Sequence, residues 1–375
     1  MTFMLPSPQK GGPSLADVLP SCLASLDVPG FENRLGLRKV TSAIIVIVDG
    51  LGAQNITAAK AHARFLAPAL TKASTISTVF PSTTAAALPS FTTGKLPGQH
   101  GMVGYRVRDP ASGAVVNQLT GLDLIQSVDP WLVEPPLYAR ARASGVRPVV
   151  IAKSRFSGTP LTRLIHEGTD SVAAASIEER CQSALSIVSQ SRSLVVLYIS
   201  ELDEIAHAQG VNSHAWASKL EEVDSELSHL SRGIPRNVSL IVTADHGVVD
   251  IGKHAHVSFG ETPESLFGIS AIGGEPRCLQ LYLDNGVEAN AVAASWQDAL
   301  QDAAYVVTRD EMIQTGWLGD VAAPVINRLG DVFVLARKDV VFFDARDPTN
   351  KARKMVGHHG GISAAEIKIP FLQLN

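Results

Sequence analysis

The chain has 375 residues, enough to bury one large α/β core or two ordinary ones and long enough for an enzyme. Its 32 basic residues face 36 acidic ones, a formal charge of −4 without runs of like charge, which argues against a nucleic-acid stripe or a membrane-surface patch and for a small-molecule partner. Cys22, Cys181 and Cys278 have neither the even count of a disulfide framework nor the spacing of a thiolate zinc knuckle, so a reducing compartment is expected.

Residues 1–38 read as an N-terminal lead-in, rich in Pro and Gly and without an unbroken apolar run behind a basic start. No later stretch reaches the roughly eighteen apolar residues of a membrane span. The expectation is a cytoplasmic protein with no membrane partner; its oligomeric state is not legible.

The catalytic domain is expected over 39–375. "AIIVIVD" (43–49) is a buried strand running into Asp49. "FPSTTAAALPSFTTG" (80–94) sets hydroxyls among apolar residues, either as a turn and helix start or as a nucleophile. "RPVVIA" (147–152) is a second strand, and the loop after it offers Lys153 and Arg155 to an anion. Helical spacing follows over 176–190, then the strand "LVVLYIS" (194–200), then Asp203 and His207, four apart and so within one helical turn. A second helix, 213–233, stops at Arg232-Gly233, and "VSLIVTAD" (238–245) ends in Asp245 with His246 directly behind it. His254 or His256 of "KHAHV" is placed to touch substrate or to support a ligand. Shorter alternating segments at about 255–345, such as "RCLQLYLD" and "DVFVLA", predict a smaller mixed lobe, and "GHHGG" (357–361) follows it.

Strands alternating with helices predict an α/β fold with a mostly parallel central sheet flanked by helices on both faces. In such a sheet the carboxyl ends of the strands share one edge, so Asp49, Asp203 and Asp245 converge although far apart in sequence. One aspartate alone is ordinarily a cap or turn residue. Three of them with His207, His246 and one of His358 and His359 exceed what a single tetrahedral zinc uses, and imply two divalent ions. A two-metal site suits in-line displacement at phosphorus. The glycines of "DGLG" lack the third glycine of a dinucleotide fingerprint.

Taken in order, "VDGLG", "FPSTT…TTG…HG", "LDEIAH", "TADHG" and "GHHGG", from about Ile44 to Gly361, resemble the alkaline phosphatase superfamily, and within it the nucleotide pyrophosphatase/phosphodiesterase family. The resemblance implies an alkaline phosphatase-like fold and hydrolysis of a phosphodiester or pyrophosphate bond in a small phosphoester or nucleotide. It puts one metal on Asp203, His207 and His359 and the other on Asp49, Asp245 and His246, with zinc first and manganese or iron as alternatives. Thr84 becomes the nucleophile and a ligand of the second metal, with Thr83 the alternative, and the reaction passes through a phospho-threonine. Two departures stand out: the family's phosphate-binding Asn falls near Tyr105, and Ala85-Ala86-Ala87 replace bulkier or polar residues. Competing readings are a phosphomonoesterase or phosphomutase of the same superfamily, with Arg155 as phosphate clamp, and a non-catalytic metal-binding relative. The Cys-x-Pro-x-Arg type motif of sulfatases is missing.

Overall fold

In this computed structural model, which describes residues 5–6, 8, 11–125, 131–262, 266–348 and 350–374, the strand runs of the sequence become the centre of a seven-stranded sheet. Its order is Thr75–Ser77, Lys368–Gln373, Val238–Thr243, Ser42–Val48, Ser193–Ile199, Arg147–Ala152 and Asp170–Ala173. The last five named run parallel. Every residue of Ser42–Val48 and Val238–Thr243 is buried, because helices cover both faces; that is why these strands read as continuous apolar runs rather than alternating ones.

Three strands were not anticipated. Thr75–Ser77 and Asp170–Ala173 are too short to carry a period. Lys368–Gln373 contains Pro370, ordinarily a signal against an interior strand. Here Pro370 lies opposite Thr75, and pairing with the strand on the other side begins one residue later, at Phe371 opposite Thr243. The missing N–H therefore falls where the strand changes partners. This strand is antiparallel to both neighbours.

The two expected helices are Ile177–Gln190 and His214–Gly233, packed against each other. Ser176 Oγ accepts the Glu179 amide (3.0 Å) while the Glu179 carboxylate accepts the Ser176 amide (3.1 Å), a reciprocal cap that sets the first helix's start. The lead-in is also structured: Leu15, Val18, Leu19, Cys22 and Leu23 are fully buried, and helix Val18–Ser25 packs against helix Thr84–Thr93.

The lobe is an antiparallel sheet in the order Ile269–Glu275, Cys278–Leu283, Val332–Ala336, Ala304–Thr308, covered by helix Ala289–Leu300 and with its own core around Leu281, Trp296 and Val334. It is tied to the main body by Arg277, whose guanidinium pairs with both oxygens of Glu366 (2.7 and 2.8 Å) and donates to the Lys338 and Val340 carbonyls. Both members of the pair are buried, so removing either would strand a charge. Among the described residues no helix is long and apolar enough to cross a membrane.

Candidate active site

The parallel strands deliver their carboxylates to one edge. Asp49 follows Ser42–Val48; Gly50 takes φ +73°, a left-handed turn that bends the chain away immediately behind it. Asp245 and His246 follow Val238–Thr243. Gly247 then passes so close to the Ala365 carbonyl that a Cβ would lie 2.0 Å from it, and only glycine fits. Asp203 and His207 lie on helix Glu201–Gln209, one turn apart. His359 arrives from the pair Gly357–His358, which is hydrogen-bonded to Val249–Asp250.

These residues meet in two groups, Asp203 with His207 and His359, and Asp49 with Asp245 and His246, the potential ligand atoms of each lying within 4.8 Å of one another. His207 Nε2 is 3.1 Å from Asp203 Oδ2, and His246 Nε2 is 3.4 Å from both Asp49 Oδ1 and Asp245 Oδ2. The His246 and His359 rings stack at 3.6 Å, so the groups are adjacent. Each imidazole turns Nδ1 to a backbone carbonyl: His207 to Gly357 (2.8 Å), His359 to Ser82 (3.0 Å), His246 to Gly247 (3.3 Å). With Nδ1 as donor, each Nε2 is turned toward the carboxylates and offers its lone pair there when the ring is neutral, the arrangement that orients imidazole toward a cation.

The carboxylates fit the same reading. Asp49 Oδ1, Asp203 Oδ1 and Asp245 Oδ2 are buried without a hydrogen-bond partner, although their other oxygens are engaged: Tyr198 donates to Asp49 Oδ2, and the Gly50 and His246 amides donate to Asp245 Oδ1 (3.1 and 3.0 Å). Burial, then Asp245 and Asp203, raises the Asp49 pKa well above the usual range. Burial works against a charged His207, but Asp203 overrides it and lifts the pKa to about 9. Buried carboxylates crowded together with outward-facing lone pairs are a donor set for divalent cations.

Thr84 opens helix Thr84–Thr93 with its Oγ1 3.2 Å from His246 Nε2. At this end the backbone amides point outward and favour negative charge. Behind it, His100 accepts the Met102 amide at Nδ1 (3.1 Å), which leaves Nε2 to donate to Ser90 Oγ (2.8 Å) inside the helix. The His-Gly at 100–101 is thus a brace for the helix. Ser82 ties this segment to the His359 loop, donating to the Gly361 carbonyl (2.7 Å) and accepting the Gly360 amide (3.2 Å).

Thr84, Asp49, Asp203, His207 and His359 open into a cleft of about 680 Å³ that Tyr105, Lys153 and Arg155 also line. Both cations are tied down: Lys153 pairs with Glu201 (3.3 Å) and Glu204 (3.1 Å), and Arg155 with Glu204. His254 is exposed on the single turn Lys253–Ala255, away from the cleft lining. His358 lies beside His359, but its ring meets Phe343 and His256.

Sequence reasoning missed Tyr198, Ser82, Glu366 and Glu275. Tyr198 left a signal, a polar aromatic near the end of an apolar strand. Glu275 left none, because the lobe brings it in from outside the motifs. Its carboxyl lines the cleft, bonds the Thr83 hydroxyl and retains one unpartnered oxygen; burial pushes its pKa up to about 8, with Glu366 adding to the rise. Each unit of elevation is about 1.4 kcal/mol. The resulting stability is complete below the ordinary glutamate pKa of 4.5 and is lost as pH rises through about 8. In metal-free protein the Tm of Glu275→Gln should therefore gain on wild type between about pH 5 and pH 9. A difference that stays constant over that range would mean Glu275 ionises as it does in water.

Comparison with known proteins agrees with this geometry. Residues 43–362 match the family described as type I phosphodiesterase/nucleotide pyrophosphatase. Murine ectonucleotide pyrophosphatase/phosphodiesterase 5 has a similar structure (TM-score 0.66, 17% identity, 88% of this chain and 87% of that one), and so has phosphonoacetate hydrolase from Sinorhizobium meliloti (0.68, 16%, 89% and 90%). At these identities the likeness is one of fold. GPI ethanolamine phosphate transferase 2 of Kluyveromyces lactis is 35% identical over 77 residues, 20% of this chain and only 10% of that curated relative.

Proposed function

Because the chain belongs to the type I phosphodiesterase/nucleotide pyrophosphatase family, we propose that it is a phosphohydrolase that cleaves phosphodiester or pyrophosphate bonds with Thr84 as nucleophile. The observation that carries this is the position of Thr84 Oγ1, at a helix N-terminus, 3.2 Å from His246 and beside the unpartnered oxygens of Asp49 and Asp245. Murine ectonucleotide pyrophosphatase/phosphodiesterase 5 in complex with AMP is an inactive variant in which a threonine is replaced by alanine, which supports the same assignment.

Asp203, His207 and His359 would hold one divalent cation and Asp49, Asp245 and His246 a second, zinc fitting the mixed imidazole and carboxylate donors, with manganese or iron as alternatives. Bound there, the ions supply positive charge beside the Thr84 hydroxyl and the phosphoryl oxygens. Thr84 Oγ1 attacks phosphorus as the bond to the leaving oxygen breaks, giving a phospho-threonine; water then attacks the same phosphorus and returns the hydroxyl. The helix amides stabilise charge on the phosphoryl group, and Ser82, Tyr198 and His100 hold the reacting side chains still.

The tethering of Lys153 and Arg155 to glutamates favours diesters over monoesters, since a monoester dianion calls for a free cationic clamp. The purified protein should show the higher kcat/KM on bis-p-nitrophenyl phosphate, and Arg155→Ala should change the ratio little. A preference for p-nitrophenyl phosphate that disappears in Arg155→Ala would make a phosphomonoesterase the correct reading. A cytoplasmic location is proposed with it, supported by three buried, free cysteines.

A further inference from the structure

The cleft does not end at Thr84 and the metal-group residues. It runs on across one face of the central sheet, beneath the short helix Pro160–Ile165. Strand register defines its floor: Val150 lies abreast of Val196, and two residues on, on the same face, Ala152 lies abreast of Ala173. Leu161 and Ile165 of the helix form the roof.

Strands covered on both faces of a parallel sheet ordinarily carry large branched residues. The small side chains of Ala152, half-buried, and Ala173, on the edge strand, leave room where larger residues would cover the floor. At its far end Ala173 is exposed on the edge strand, so the extension is open to solvent there as well as at Thr84. Lys153 and Arg155, which line the cleft beside it, are held in ion pairs with Glu204. His166, which also lines it, is kept neutral by burial, with a pKa near 4.

We propose that this extension binds an elongated apolar substituent, an alkyl or acyl chain, carried by the phosphoryl group at Thr84, so that the substrates are phosphoesters of amphiphiles. The inference rests on the phosphohydrolase reading above. Aliphatic walls reward a hydrocarbon chain in proportion to the surface it buries. A nucleobase brings a rim of donors and acceptors that Val150, Val196, Leu161 and Ile165 do not satisfy; of the hydroxyls on the same lining, Thr159 and Thr162 already bond each other, and donors left unpaired are costly. A passage open at both ends accepts a chain longer than itself, whereas a base calls for a closed slot.

Binding of methyl, butyl, hexyl and octyl phosphate to the purified protein, measured by calorimetry, reads the extension without turnover. Affinity should rise about fourfold for each methylene that enters. The double variant Ala152→Leu/Ala173→Leu should flatten the series and leave methyl phosphate binding unchanged; if it folds poorly, Ala173→Leu alone, on the edge strand, should reduce the slope. Equal affinity along the series in the wild type overturns the proposal, as does tighter binding of AMP than of octyl phosphate. Turnover of methyl p-nitrophenyl phosphate separates the two readings. A flat series with turnover sinks the apolar extension alone, and a rising series without turnover of any ester sinks the phosphohydrolase.

Discussion

Thr84→Ala should lower kcat/KM by about three to five orders of magnitude while leaving the fold and metal content intact. The substitution removes the oxygen that would bond phosphorus. Alanine suits the first turn of a helix, and the donors that hold the neighbouring loops, Ser82 and His100, are untouched. Thr83→Ala is the control. Thr83 is the N-cap, but its side chain makes no capping bond; its carbonyl accepts the Ala86 and Ala87 amides, and alanine keeps that carbonyl. Its hydroxyl bonds Glu275 instead, so the loss should be tenfold or less, about the worth of one hydrogen bond. Steady-state kinetics of both variants with metal analysis decides the matter. A large defect in Thr83→Ala and a small one in Thr84→Ala would move the nucleophile by one residue, and two small defects would remove the covalent step.

Removing the metal should be comparably severe. Chelation is expected to abolish turnover and lower the Tm by about 5–10 °C, since a ligand bound only by the folded state stabilises it by mass action. Asp245→Asn gives a sharper test because its effect should change sign. With metal present it removes a charged ligand, so the content should fall from about two ions per chain to one and turnover by about a thousandfold or more. In metal-free protein the same change relieves crowding among Asp49, Asp203 and Asp245, and the variant should melt above the wild type. Calorimetric melts with and without chelator provide the comparison. A variant that melts below wild type in both states would mean the carboxylates are structural.

The central strands and the convergence of the three aspartates were legible because both obey short-range rules. A buried parallel strand must be apolar throughout, and a residue just past its end must face the common edge, so Asp49, Asp203 and Asp245 could be brought together from strand positions alone. The choice between His358 and His359 rested on resemblance; the structure gathers His359 with Asp203 and His207 and turns the His358 ring to Phe343. What stayed hidden depends on partners remote in sequence. Strand Lys368–Gln373 hides behind Pro370, which is harmless only because two different neighbours flank it. Glu275 and Arg277 sit in a lobe hairpin with no motif, and only the approach of that hairpin to the His359 loop gives them their positions. The apolar extension depends on what is absent from Ala152 and Ala173, and small residues announce no function.

The antiparallel strand Lys368–Gln373 also bears on biosynthesis. It lies between Thr75–Ser77 and Val238–Thr243, inside the sheet rather than at its rim, although it is the last of the seven to leave the ribosome. Until it arrives, Val238–Thr243 presents an open edge to the nascent chain's surroundings, and Thr75–Ser77, which leads into the Thr84 segment, has no strand beside it. His359 emerges shortly before it. Translation thus brings out every residue of the two donor groups before the strand that joins Thr75–Ser77 to Val238–Thr243 is complete.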